Sequence, residues 1–280
     1  MLPGFDLPAF VAATLSEDMG DLGDITAAAV IPADAVFTGV MDSRDAITVA
    51  GLDLAAAFFR HLDPQVVLER LVSDGDRVAP GTALLRLRGN ARALLTAERS
   101  ALNTVQHLSG IATLTARYVA AIAGTGATLL DTRKTIPGLR LLEKYATRMG
   151  GATNHRMGLW DAAMIKDNHV AVAGSVGEAT ARAKAAGIER IIVEIDSLDQ
   201  IEPALAAGAT HLLLDNMTPL TLREAVAMIA GRVPAEASGG VNLDTIRAIA
   251  ETGVTYISVG RLTQSAPAAD IGLDFTFDAA

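Results

Sequence analysis

The sequence predicts an α/β protein: an N-terminal α+β sandwich domain over residues 1–108, then an incomplete parallel α/β barrel of about six strands over 109–266, with the tail 267–280 returning to the first domain. Three observations carry this. A chain of 280 residues with 50% hydrophobic content can bury a full core and is long enough for two domains. Up to about Asn90, short β-rich runs are separated by strong turn signals, Asp74-Gly75-Asp76 and Pro80-Gly81. Beyond Gly124, short apolar runs alternate with helical patterns. That rhythm requires crossover helices, and crossovers build a parallel sheet or barrel.

In chain order, a first helix is expected from roughly Asp6 to Glu17, then strand-like VFTGVMDSR and AITVAG, a helix around LAAAFFRHL, and the β-rich stretch QVVLERLVSDGDRVAPGTALLRLRG. From Ala91 to Gly124, Leu94, Leu95, Ala101, Leu102, Val105 and Leu108 recur at helical spacing. The barrel strands are read as TLLD, AMIK, IIVEID, HLLLD, the Ala-Glu-Ala-Ser segment at 235–238, and TYISVG. Between them, VGEATARAKAAG, LDQIEPALAAG, LTLREAVAMIAG and LDTIRAIAETG read as helices, each ending in a capping Gly.

Composition excludes several function classes. With no cysteine, disulfides, thiolate metal sites and thiol nucleophiles are all ruled out, and a cytoplasmic location is expected. No apolar stretch approaches bilayer-spanning length, and the start MLPGFDLPAF does not read as a signal peptide, so no membrane role is expected. A net charge of −9 with 4% aromatic residues supplies neither a basic face nor stacking residues for nucleic acid.

Against that acidic background, residues 131–169 hold seven Lys or Arg (Arg133, Lys134, Arg140, Lys144, Arg148, Arg156, Lys166) and four acids (Asp131, Glu143, Asp161, Asp167). A bound anion is the expected reason. The middle of the window has a bland explanation: GLRLLEKYATRM is an amphipathic helix, with Arg140 and Lys144 expected at its surface. The ends do not. Arg133-Lys134 and Lys166 each close a short apolar run, and the carboxyl ends of parallel strands are where α/β proteins hold ligands. Acids recur at strand ends too. Glu194 and Asp215 suit a Mg²⁺ site, whereas Asp196 and Asp199 are expected to cap the following helix. The loops SGGVNLD and VGRLTQS, last in the series, are expected to take a phosphate.

The blocks EDMGDLGDIT, TAERSALN, DTRKTIPGLR, NHRMGLWDAAMIKDNH, VEID, LLLDN, ASGGVN and VGRLTQS, in this order, resemble the quinolinate phosphoribosyltransferases over nearly the whole chain. The resemblance implies transfer of a phosphoribosyl group from 5-phosphoribosyl-1-pyrophosphate to quinolinate with decarboxylation, in NAD biosynthesis. By matching position it assigns Arg133, His155, Arg156 and Lys166 to the quinolinate carboxylates, Lys134 and Thr132 close to the substrates, Glu194 and Asp215 to Mg²⁺ and the ribose hydroxyls, and Ser238, Gly239, Gly240 and Gly260 to phosphate. It also implies a homodimer in which Arg99 reaches the neighbouring subunit's site. His169 is expected to be structural and Trp160 to serve packing. Arg261 and Gln264 depart from the family pattern at the last loop. Two rivals remain: a related phosphoribosyltransferase acting on another heterocyclic acid, and a carrier-like binding module on the GDRVAPG turn, which has no lysine to modify.

Overall fold

The computed structural model describes residues 4–277, in two compact units. The first runs to Leu114, later than the expected boundary at 108, and takes in Leu141–Gly151 and the chain from Ala266. The second comprises Thr115–Arg140 and Ala152–Ser265.

The first unit opens with helices α1 (Leu7–Met19) and α2 (Ile25–Val30). Asp6 and Asp24 start them, each accepting the amide three residues on, at 3.0 and 2.8 Å. Strands β1 (Val36–Ser43) and β2 (Ile47–Thr48), helix α3 (Leu52–Leu62), strands β3 (Val67–Arg70), β4 (Arg77–Val78) and β5 (Ala83–Asn90), and the long α4 (Ala91–Ala121) follow. The final strand, Ile271–Phe277, pairs antiparallel with β1, which pairs with β5, which pairs with β3. Residues 278–280 of the expected returning tail lie outside the described residues. Phe58 and Phe59 of α3, Met41, Leu84, Leu85, Leu87 and Leu94 are buried in one cluster. Burying a large apolar side chain stabilises by about 1.5–3 kcal/mol, so this cluster holds the helices on the sheet.

Helix α5 (Arg140–Met149) corrects the surface reading of its charges. Lys144 and Glu143 are fully buried beside Leu142 and Ala146, and Glu143 Oε1 lies 3.0 Å from His107 Nε2. Helical periodicity marks the face that must be buried. It does not show when a further element covers the polar face as well.

In the second unit, β6 (Thr128–Leu130), β7 (Ala163–Ile165), β8 (Ile191–Ile195), β9 (His211–Asp215), β10 (Ala235–Ser238) and β11 (Tyr256–Ser258) form one six-stranded sheet. All its pairings are parallel, in the order β6-β11-β10-β9-β8-β7, an incomplete α/β barrel. Helices α6 (Asp167–Ala173), α7 (Val176–Ala185), α8 (Ile201–Ala207), α9 (Pro219–Ile229), α10 (Ile246–Ala250) and α11 (Arg261–Gln264) lie between and after the strands. Every residue of β8 is buried, as expected for a parallel strand covered on both faces. The glycine rule holds for α8, capped by left-handed Gly208, but α9 turns left-handed one residue earlier, at Ala230 (φ 52°), before Gly231.

Candidate active site

The carboxyl ends of these strands surround a cleft of about 560 Å³, within the usual range for small-ligand sites. Of the residues singled out from sequence, Thr132, Arg133, Lys134, His155, Arg156, Lys166, Glu194, Asp215, Ser238, Gly239 and Gly240 line it. Gly260 acts from behind: a Cβ there would stand 2.7 Å from Lys134 Cδ, so the missing side chain makes room for the lysine stem. Arg99 belongs to the first unit, exposed on α4.

After β6, the buried Asp131 organises the segment that carries the cations. It accepts the His155 amide at 2.8 Å and the Asn154 side-chain amide at 2.6 Å. Thr132 Oγ1 accepts the Lys134 amide at 3.0 Å, and Thr263 donates to the Lys134 carbonyl at 2.7 Å. The Arg156 guanidinium is 7% exposed as a residue and donates Nη1 to the Ala162 carbonyl at 3.0 Å and Nη2 to Met164 Sδ at 3.4 Å. Its Nε, and the Nε of Arg133, are buried with no hydrogen-bond partner among the described residues. Burial first, and the charge of Arg133 second, push the Arg156 pKa down against a smaller opposing effect of Asp161. Two cations that repel one another, each with an unused buried donor, fit an anion that would satisfy both.

Lys166, at the start of α6, hydrogen-bonds through Nζ to Glu194 at the end of β8. His169 accepts the Lys166 amide at Nδ1 (3.0 Å), in keeping with its expected structural role. Asp215, which ends β9, accepts from the Asn216 side chain at 2.6 Å. Asn216, itself left-handed at φ 53°, donates its backbone amide to the Ser238 carbonyl at 2.9 Å, tying the β9 and β10 ends together.

Three expectations are corrected. Asp196 makes no cap: its amide donates to Gln200 Oε1, and its carboxylate joins Glu194 and Asp215 in a group whose oxygens lie within 4.8 Å of one another. Trp160 is 83% exposed, so it does not serve packing within the chain. Lys144, expected at the surface, is buried in the first unit.

Sequence reasoning missed Glu236 and His211. Glu236 lines the cleft from the middle of β10 and is fully buried. His155 Nε2 is 3.2 Å from its Oε2. His211 Nε2 approaches the same oxygen at 2.8 Å. Burial alone would raise the Glu236 pKa; the two imidazoles outweigh it and hold the carboxyl down, at about 2. The signal was present in the sequence as a charged residue inside an otherwise small, apolar strand, Ala-Glu-Ala-Ser.

Comparison with known proteins bears on this arrangement. Residues 24–109 match the model of the quinolinate phosphoribosyl transferase N-terminal domain, and residues 111–274 that of its C-terminal domain. The nicotinate-nucleotide pyrophosphorylase [carboxylating] of Mycobacterium leprae (strain TN) is 47% identical over 267 residues, covering 93% of this chain and 94% of its own length. A Nicotiana tabacum protein, quinolinate phosphoribosyltransferase [decarboxylating] 1b, is 42% identical over 97% of this chain and 83% of its own length. The crystal structure of NadC from Streptococcus pyogenes superposes with a TM-score of 0.95 at 39% identity, covering 100% of this chain and 99% of that one.

Proposed function

The chain belongs to the quinolinate phosphoribosyltransferase family, and from that premise we propose that the cleft of the second unit is where quinolinate meets 5-phosphoribosyl-1-pyrophosphate. The reaction transfers the phosphoribosyl group to the ring nitrogen, releasing pyrophosphate and CO₂ and giving nicotinate mononucleotide. The observation that carries the site assignment is the pair of crowded cations, Arg133 and Arg156, each with a buried Nε in want of an acceptor. A pyridine dicarboxylate supplies carboxylate oxygens for both, and the planar guanidinium fork suits that geometry.

No side chain needs to act as a nucleophile. Breaking the glycosidic bond builds positive charge on the ribose and negative charge on the departing pyrophosphate, so fixed cations at the leaving group lower the barrier. Lys134, close to both substrates, fills that role in this reading, while Lys166 holds a quinolinate carboxylate. After transfer, the ring nitrogen is cationic and stabilises the carbanion left when the adjacent carboxylate departs as CO₂. A proton from solvent then takes the place of the departed carboxylate on that carbon, giving nicotinate mononucleotide, and the protein's part is to orient the ring. Gly239 and Gly240, both at positive φ, bring bare backbone to the cleft, which suits phosphate.

Magnesium is part of the proposal. Glu194, Asp196 and Asp215 offer only oxygens, close together at the strand ends, as a hard cation prefers. When bound, the ion neutralises phosphate charge. The homodimer, with Arg99 contributed across the interface, belongs to the same proposal: an arginine exposed on α4 is available to a partner subunit. So does a cytoplasmic location, supported by the cysteine-free composition. Among the described residues, no helix is long and apolar enough to cross a membrane.

Release of labelled CO₂ from carboxyl-labelled quinolinate, dependent on 5-phosphoribosyl-1-pyrophosphate and abolished by a chelator, tests the reading. No release under any condition overturns it.

A further inference from the structure

We infer that Glu236 is a positioning residue that holds His155 in its Nε2–H tautomer, so that His155 serves to orient Arg156 rather than to present a charge to the substrate. A backbone N–H can only donate, and the Arg156 amide lies 2.7 Å from His155 Nδ1. Nδ1 therefore carries a lone pair, and the proton of the neutral ring sits on Nε2. That N–H faces Glu236 Oε2 at 3.2 Å.

Glu236 is suited to fix a tautomer because it is itself fixed. It stands on β10, in register with Leu213 of β9 and Tyr256 of β11, near the middle of the six-stranded sheet. His211 approaches the same oxygen from the start of β9, and its ring stacks on Tyr256 with centroids 5.5 Å apart and planes 22° apart. The two imidazoles keep the carboxyl ionised despite full burial, and an ionised carboxylate can only accept.

The consequence falls on Arg156. Asp131 accepts the His155 amide, Glu236 faces the His155 ring proton, and His155 Nδ1 accepts the Arg156 amide, so the backbone at 155–156 is pinned from both sides. The Arg156 guanidinium then reaches the Ala162 carbonyl and Met164 Sδ with its Nε left over. Nothing in this chain of contacts requires a charged His155. Its N–H is directed to Glu236, and the substrate-binding charge belongs to Arg156.

The kinetic part of this inference rests on the quinolinate reading; the tautomer does not. Long-range ¹H–¹⁵N NMR of the intact protein, with ¹⁵N in its five histidines and His155 assigned by its loss in His155→Asn, reads the ring directly. Protonated Nε2 with unprotonated Nδ1 is the expected result; an Nδ1–H ring or an imidazolium at neutral pH overturns the inference, whatever the enzyme's substrate. Glu236→Leu is then expected to raise the KM for quinolinate about tenfold or more while leaving that for 5-phosphoribosyl-1-pyrophosphate nearly unchanged, the scale at which a misplaced anchoring group is felt. Glu236→Gln, whose amide oxygen still accepts the ring proton, is expected to restore most of that loss. An unchanged quinolinate KM in Glu236→Leu, or equal rises for both substrates, overturns it. Should Glu236→Leu fail to fold, the NMR of the unaltered protein still decides; should the unaltered protein make no product from quinolinate, the functional reading fails and the tautomer is still tested.

Discussion

A Cβ added at Gly239 would stand 2.8 Å from the Asn216 backbone nitrogen and closer still to the Asn216 side-chain oxygen. Gly239 is also held at φ +90°, where a side chain is strained whatever the space. Gly239→Ala should therefore displace Asn216, and with it the carboxylate of Asp215 that Asn216 donates to. Gly240, at φ +59° with open space where a Cβ would lie, is the control. The expected outcome is a loss of kcat/KM for 5-phosphoribosyl-1-pyrophosphate in Gly239→Ala well beyond that in Gly240→Ala. Gly240→Ala should cost only about 1–2 kcal/mol of stability, from its backbone conformation. Steady-state kinetics and thermal melts of the two variants check this.

Lys166→Ala and Arg133→Ala should each weaken quinolinate binding. A charge-assisted hydrogen bond lost to a desolvated carboxylate is worth about 1.5–3 kcal/mol, roughly ten- to a hundredfold in Kd. Isothermal titration measures it. Unchanged affinity in both variants would mean that the cationic cluster serves another ligand.

Acid stability should carry the mark of Glu236. Its folded-state pKa, about 2, lies below its unfolded value, so the ionised carboxylate contributes stability above the unfolded pKa of about 4.5, and that contribution is lost as pH falls toward 2. Glu236→Gln has no such proton to take up. Urea titrations between pH 5 and the acid limit should show a shallower decline for Glu236→Gln than for the unaltered protein. Parallel declines would show that the buried carboxylate is not held ionised.

The placement of Arg99 is tested by complementation. Inactive Arg99→Ala mixed with inactive Lys166→Ala, under conditions that exchange subunits, should recover activity, because each heterodimer then holds one site with both residues intact. No recovery despite demonstrated exchange would place Arg99 in its own subunit's site or in none.

Much of this was legible in the sequence because parallel strands buried on both faces leave short apolar runs. All six strands of the second unit were readable from TLLD, AMIK, IIVEID, HLLLD, AEAS and TYISVG, and the cations at two of their ends marked the cleft. What escaped depends on contacts between residues far apart in sequence. The burial of Lys144 and Glu143 follows from what covers their helix, which periodicity does not encode. Asp196 looked like a cap because capping is local; its place beside Glu194 and Asp215 depends on the pairing of β8 with β9. Helix α2 is one short run, ITAAAV, with a single buried residue, Ala27, so it is too brief to show a periodic apolar face. Glu236 and His211 meet only because β9 and β10 are neighbours.

The central claim is that this cleft binds a pyridine dicarboxylate and decarboxylates it. Its most direct measurement is product formation from quinolinate and from nicotinate, side by side, with 5-phosphoribosyl-1-pyrophosphate and magnesium present. Nicotinate mononucleotide with stoichiometric CO₂ from quinolinate, and little or none from nicotinate, is the predicted result; product from nicotinate but not from quinolinate would contradict it.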